Sequence, residues 1–171
     1  MSEVLRLSPS KIDMYARCGV QYEFRYVLGQ REPPGIAALV GRGVDSAVSA
    51  ALIRKAMGES LPSVEEIGTM AAEASEAEFR ASSEILLNDE EKASGLSKVL
   101  GDAKDRSVRM AKAYRMYVAP LIRPEIDWRT GKPRVQHSWE LEFPDGIVLA
   151  GRSDVEEIDH GVRDTKTSAK P

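Results

Sequence analysis

The periodicity of the sequence changes near residue 134, and this change restricts the chain to few fold classes. Before it, apolar residues recur three or four positions apart, as they do on amphipathic helices. After it, three short stretches alternate or are rich in β-formers, and turn sequences separate them. These predicted strands are 134–143, 147–158 and 162–167. Short turns between adjacent strands imply antiparallel pairing. The sequence therefore predicts an α+β fold, with N-terminal helices packed on a mainly antiparallel β-meander.

The helical part divides into segments with recognisable starts and stops. Ser8 and Pro9 are typical of a helix N-terminus, and Ser63 begins another helix with acidic residues in its first turn. A third helix is predicted over about 89–118 and is ended by prolines. Residues 36–58 form a further predicted helix, whose apolar residues recur four apart: Val40, Val44, Val48 and Leu52. We predict one domain with three parts: a helical part over 1–58, a helical insert over 59–133 and a β-meander over 134–171.

Charge and cysteine content exclude several classes of protein. The net charge is -3 in total, but it is +3 over 1–58, -8 over 59–95, +6 over 96–134 and -4 over 135–171. A generally cationic nucleic-acid-binding surface is excluded, whereas a local basic face is not. The blocks are equally typical of solvated helix faces. One cysteine excludes an internal disulfide framework. With no signal peptide and no apolar run near the ~20 residues that span a membrane, we expect a cytoplasmic protein without membrane contact.

The last predicted hairpin brings charged groups to one face of the sheet. Asp164 and Lys166 are two residues apart, so they share a face, as Asp154 does with its neighbours at i±2. A three-residue loop ending in glycine is a common hairpin connection. It would pair Ile158 with Val162, which places Asp154 opposite Lys166. The same pairing sets Glu156 opposite Asp164.

Two interpretations of this hairpin remain open from the residues alone. Neighbouring carboxylates repel each other unless a cation lies between them, and Mg²⁺ or Mn²⁺ prefers such oxygen ligands. The alternative is a surface hairpin with cross-strand ion pairs, each contributing roughly 0.2–1 kcal/mol.

Three segments, in order, resemble the RecB-like exonuclease family of the PD-(D/E)XK nuclease superfamily. The first is LSPSKIDMYARCGVQYEFRYVLG over 7–29, and the second is Gly41-Arg-Gly-Val-Asp45. The third combines Leu149-Ala-Gly-Arg-Ser-Asp154 with Val162-Arg-Asp-Thr-Lys-Thr167, which is similar to the family's "G-R-x-D … D-x-K-T" core. The resemblance implies a restriction-endonuclease-like fold. It also implies that a C-terminal helix with a Gln-x-x-x-Tyr motif, part of the family's core, is missing. A naturally short chain would then be expected to need a partner or to dimerise.

The resemblance also implies a chemistry, namely Mg²⁺- or Mn²⁺-dependent hydrolysis of phosphodiester bonds in DNA. Asp154 and Asp164 would be metal ligands together with the backbone carbonyl of Thr165, and Lys166 would act on the attacking water or on the developing charge. Asp45 stands where the family has a metal-binding histidine. An iron–sulfur cluster, which some relatives build with a cysteine at the position of Cys18 and three more, is not expected from this chain alone.

The function implied is an exonuclease in recombination, repair or phage DNA processing. Its expected partners are DNA and a helicase or recombination protein. The rival hypotheses are a degenerate nuclease fold that binds DNA or a protein without cutting, and an unrelated α+β domain with an ordinary charged hairpin. The residues expected to contact DNA are basic: Lys104, Arg109, Lys112, Arg115 and Arg152.

Overall fold

The computed structural model describes residues 4–159 and 161–164 and contains helices followed by a mixed sheet. About 55% of the chain is helical and 19% is strand, in agreement with the predicted α+β class. In chain order the elements are β1 (Leu5–Leu7), α1 (Pro9–Arg17), α2 (Gly19–Tyr22, continued by a π-helical turn over Glu23–Val27), α3 (Ile36–Ala56), α4 (Val64–Ala81), α5 (Asp89–Ser94), α6 (Leu96–Tyr117), β2 (Val135–Phe143), β3 (Ile147–Glu156) and β4 (Val162–Arg163).

The chain forms two compact units. The first contains the residues up to Glu32 together with Gln136–Ser153, and the second contains Pro33–Val135 together with the residues from Asp154 onward. The strand β3 therefore passes from the first unit into the second. The predicted three parts, divided at residues 58 and 133, have boundaries that differ from those of the two compact units, and they stay a prediction.

The first unit contains a parallel strand pair that the sequence did not predict. β1 pairs parallel with β3, in the register Leu5↔Ile147 to Leu7↔Leu149, and β2 lies on the other side of β3. The sheet is therefore mixed. Gly151 on β3 lies directly under the indole ring of Trp139, since a Cβ at this glycine would lie 2.6 Å from the ring's Cε2. The glycine of the Gly-Arg-x-Asp motif thus makes room for a neighbouring side chain within this unit.

The start of α1 follows the predicted capping. The Ser8 side chain accepts a hydrogen bond from the Lys11 backbone N–H, and Pro9 is the first helical residue. Tyr15 meets Tyr22 edge to face, with ring centroids 5.4 Å apart, but Tyr15 is largely exposed.

The second unit is built on α3, α4 and α6, which pack against one another. The predicted stripe on α3 is confirmed, because its four residues are all buried: Val40, Val44, Val48 and Leu52. Ser63 caps α4 in a reciprocal capping box with Glu66. The predicted single helix over 89–118 was wrong in one respect. Gly95 adopts φ +83°, which ends α5 and begins α6.

The helix α3 is also long and apolar enough to cross a membrane, by length and composition alone. The sequence-based expectation that no run approaches this length was wrong here. Within its most apolar 18-residue window 56% is buried inside the protein. Burial of this kind is what a core helix of a folded domain shows, and such a helix passes the same test.

Small residues bring α3 and α4 into close contact. A Cβ at Gly43 would lie 3.0 Å from Ser75 Cα and closer still to Ser75 Oγ. Ser75 is fully buried, and its hydroxyl has no hydrogen-bond partner among the residues that the structure describes. Gly43 is thus required by packing, because a side chain there would collide with the backbone of the neighbouring helix.

We expect Gly43→Ala to lower the free energy of unfolding by about 1–3 kcal/mol, because overpacking forces the two helices apart. Gly101→Ala is the matched control. Gly101 lies on α6, and a Cβ there would have no heavy atom within 4 Å. Alanine should stabilise that exposed helix position by about 0.5–1 kcal/mol. Denaturant titrations of both variants test this, and equal effects would contradict the packing argument.

Candidate active site

The site is built on the antiparallel pair β3–β4 in the second unit. The register is Val155↔Arg163 and Glu156↔Val162. Continued by one residue, it places Asp154 directly opposite Asp164. The predicted pairing of Ile158 with Val162 was therefore wrong, and so were the expected pairs Asp154 with Lys166 and Glu156 with Asp164.

The loop is wider than the predicted three residues and includes Glu157, which is held by hydrogen bonds of both its backbone and its side chain. Its backbone N–H donates to the Gly161 carbonyl at 2.8 Å, and its buried carboxylate accepts bonds from the Arg123 backbone N–H at 3.2 Å and from Arg163 Nε at 2.5 Å. The connection between the paired residues is thus 157–161. Turn length alone predicted a different register. The observed register is accompanied by the contact of Glu157 with Arg123, which is distant in sequence.

The correction keeps the charged residues on the predicted face. The register error is two residues, and only an odd shift moves a strand's side chains to the other face. Val155 and Glu157 are buried on one side of β3, whereas Asp154 and Glu156 are half-buried on the other. Asp164 is exposed and directly follows β4. When the register is continued by one residue, the two aspartates expected to bind metal therefore share a face and lie opposite each other.

The geometry of this pair suits a cation. Directly opposed residues on antiparallel strands have Cβ atoms about 4.5–5.5 Å apart, and like charges in that position destabilise the pair. Their oxygens are hard ligands of the kind that Mg²⁺ and Mn²⁺ prefer. The donor set of Asp154 and Asp164 therefore fits a divalent ion. We refer to these two residues as the carboxylate pair.

The structure does not group Asp45, a further predicted ligand, with the carboxylate pair. Asp45 lies half-buried on α3. Within the residues described, no three His, Cys, Asp or Glu side chains lie close enough to share a metal ion, so Asp45 does not complete such a group. Thr165 and Lys166 lie outside the described residues.

An arginine that the sequence did not single out supports the strand beside the pair. Arg134 contacts three carboxylates, at 2.8 Å to Glu156, 3.5 Å to Asp127 and 3.9 Å to Glu125. All four side chains are less than a third exposed. The hydrogen bond that Arg134 donates to the Glu156 carboxylate is the largest influence that raises the pKa of Arg134. We call these four residues the Arg134 cluster.

Backbone hydrogen bonds tie this cluster to β3. Glu156 N–H donates to Arg134 O at 2.9 Å, and Glu125 N–H donates to Glu156 O at 2.7 Å. The segment 123–134 therefore flanks the strand end two residues from Asp154. The segment 123–134 contains both acidic and basic residues, but nothing in the local sequence identifies which of them meet.

A lysine holds the chain just before the segment 123–134. Lys55 Nζ donates to the carbonyls of Ala119, Pro120 and Ile122 at 2.9, 2.8 and 2.5 Å, just beyond the end of α6. Burial lowers the pKa of Lys55. The three bonds match the three donors of an ammonium group.

Three of the five residues predicted to bind DNA make contacts within the protein. Lys104 bonds Glu76 at 3.0 Å, which is the main cause of the lowered pKa of Glu76. Arg115 Nε donates to the Pro62 carbonyl at 2.6 Å, and the Lys112 side chain lies across Gly68. Arg109 and Arg152 are exposed. The DNA contacts of all five stay a prediction.

The comparison with protein families identifies the group to which the chain is related. The sequence profile of the PD-(D/E)XK nuclease superfamily matches residues 6–171. The chain belongs to the PD-(D/E)XK nuclease superfamily. No curated protein matches it, and no solved structure matches it.

Membership in the PD-(D/E)XK superfamily gives the carboxylate pair a context. Helices with a mixed sheet are consistent with the restriction-endonuclease-like fold of these nucleases. The superfamily generally hydrolyses phosphodiester bonds, and its members typically use divalent metal ions. The resemblance inferred from the sequence is therefore confirmed at the level of the superfamily.

Proposed function

We propose that this protein is a Mg²⁺- or Mn²⁺-dependent deoxyribonuclease of the RecB-like type that degrades DNA from its ends. The observation that carries the proposal is the register of β3 and β4, which sets Asp154 opposite Asp164 when it is continued by one residue. Superfamily membership supports phosphodiester hydrolysis, and the order of the sequence motifs supports the RecB-like type.

In this proposal the residues of the site have different roles. Asp154 and Asp164 hold the ion, the Thr165 carbonyl adds a ligand, and Asp45 is a further candidate. A divalent ion bound there would supply Lewis-acid chemistry, since it neutralises phosphate charge and acidifies water. Lys166 orients the attacking water or stabilises the charge that develops on the phosphate. Arg152 and the basic residues of α6 contact the DNA backbone.

We place this activity in the cytoplasm, in recombination, repair or phage DNA processing, with a helicase or recombination protein as partner. A second candidate function is a non-catalytic module that binds DNA or a protein. It is favoured by one observation, namely that the described residues assemble two carboxylates and no group of three.

A cleavage assay distinguishes the two functions. Linear duplex DNA should be shortened with Mn²⁺ or Mg²⁺ and left intact with EDTA, while a covalently closed circle should survive because it has no end. Lys166→Ala should slow the reaction by about 100-fold or more, the usual loss when one group that stabilises the transition state is removed. Binding of DNA without cleavage in either metal would reject the nuclease and favour the module.

A further inference from the structure

An exposed tryptophan lies at the tip of the segment that flanks the carboxylate pair. Trp128 is 78% exposed, although tryptophan is usually largely buried. It belongs to the turn 127–132, which ends in a bridge between Ile126 and Pro133. We call these residues the Trp128 turn. Trp128 belongs neither to the carboxylate pair nor to the Arg134 cluster.

The Trp128 turn is held in a defined shape. The Asp127 N–H donates to the Lys132 carbonyl at 2.9 Å, and Gly131 N–H donates to the Asp127 carbonyl at 2.8 Å. Asp127 Oδ1 accepts bonds from the backbone N–H groups of Arg129 and Thr130 at 2.8 and 3.2 Å. An exposed ring on such a turn is presented to solvent with little conformational freedom in its backbone.

The charges around the ring have one sign. Arg129 lies over the indole with its Cζ 4.8 Å from the ring centroid, and Lys132 is exposed on the same turn. The only acidic residue of the turn, Asp127, is 17% exposed and faces Arg134. Because Trp128 remains 78% exposed, its second ring face is open. The turn thus offers an open aromatic face next to one cation, Arg129, and carries a second exposed cation, Lys132.

Nucleic acid matches both properties. Unpaired bases stack on aromatic side chains, and their phosphates pair with nearby Arg and Lys residues. Paired bases of an intact duplex present no free face to an exposed ring. The Arg134 cluster links the turn to β3, since Asp127 and Glu156 share Arg134. We infer that the Trp128 turn stacks an unpaired base of a single strand or frayed end, a substrate preference that rests on the proposed nuclease function.

The test is binding of a short oligothymidylate in EDTA, so that cleavage cannot contribute. We expect quenching of tryptophan fluorescence on binding, and about 5- to 100-fold weaker binding for Trp128→Ala, the range for loss of one base–aromatic stack. Trp128→Tyr should retain most of the affinity. Tyr117→Ala is the matched control, because Tyr117 is also an exposed aromatic of the second unit and should leave binding unchanged.

An abasic strand of the same length separates stacking from charge. It keeps every phosphate, so Arg129→Gln should weaken both strands, whereas Trp128→Ala should weaken only the strand with bases. Equal binding of both strands by the unmodified protein, or an equal loss in Trp128→Ala and Tyr117→Ala, would overturn the inference and leave the nuclease function standing. Trp128-dependent binding without metal-dependent cleavage would reject the nuclease function and keep the stacking contact.

Discussion

Asp154→Asn and Asp164→Asn should each lower Mn²⁺-dependent DNA hydrolysis by at least about 100-fold, as expected when the groups that hold a catalytic cation lose their charge. Asparagine keeps the size of the side chain, so the β3–β4 pairing should survive. The observed register, continued by one residue, opposes the two aspartates, and both losses should therefore be of similar size. Initial rates on linear duplex DNA give the comparison.

The control for these substitutions is Asp145→Asn. Asp145 is exposed in the turn between β2 and β3 and has φ +69°, a conformation that asparagine tolerates. We expect unchanged cleavage. A loss in this variant equal to that in Asp154→Asn would indicate a general effect of removing acidic charge and would contradict the assigned pair.

Asp45→Asn decides the composition of the ligand set. A loss equal to those of the carboxylate pair would make Asp45 a third ligand, in the position where the RecB-like family has histidine. Activity near that of the unmodified protein would assign the ion to the two strand carboxylates. Thermal unfolding of each variant shows whether the fold is intact.

Replacing Arg134 should cause the largest loss of stability. Arg134→Met leaves Glu125, Asp127 and Glu156 partly buried without their shared cation. Removing one partner of a buried ion pair commonly costs about 3–5 kcal/mol. We expect a loss below that range, since all four side chains retain some exposure to water. Urea titration at neutral pH measures it.

The pH dependence of the free energy of unfolding of the Arg134→Met variant shows whether charge causes the loss of stability. Without the arginine, the three carboxylates repel one another, and this repulsion weakens once acid protonates them. We expect the difference in the free energy of unfolding between variant and unmodified protein to be smaller in acid than at neutral pH. A constant difference would show that packing, and not charge, explains the loss.

A matched comparison is Arg80→Met, which removes an arginine from an exposed pair. Arg80 bonds Glu76 four residues earlier on α4, and its side chain is 77% exposed. Exposed pairs of this kind contribute about 0.3–0.5 kcal/mol. We expect Arg80→Met to change the free energy of unfolding by no more than about 0.5 kcal/mol.

The parts of the fold that depend on local chemistry could be predicted from the sequence. The valine stripe of α3 follows from spacing, and the capping box of Ser63 with Glu66 needs only four residues. The faces of β3 follow from alternation, which is why Asp154 and Asp164 were placed on the same side despite the wrong register. Superfamily membership followed from the order of motifs.

The parts of the fold that depend on contacts between distant residues could not be predicted from the sequence. The register of β4 is linked to Glu157, whose carboxylate meets Arg123 from an earlier segment. The parallel pairing of β1 involves three residues separated from β3 by most of the chain. Arg134 lies 22 positions before Glu156, and no local pattern shows that they meet. The Trp128 turn carries a Thr-Gly signal, which identifies a turn but not the exposure of its tryptophan.

Titration of the apo protein with Mn²⁺ tests the central claim, that Asp154 and Asp164 together bind a divalent ion. Binding to the folded state should raise the unfolding temperature by several degrees at an Mn²⁺ concentration about 100 times the Kd. The rise should be absent in the double variant Asp154→Asn with Asp164→Asn and present in Asp145→Asn. An equal rise in the double variant and the unmodified protein would contradict the assignment of the metal site to this pair.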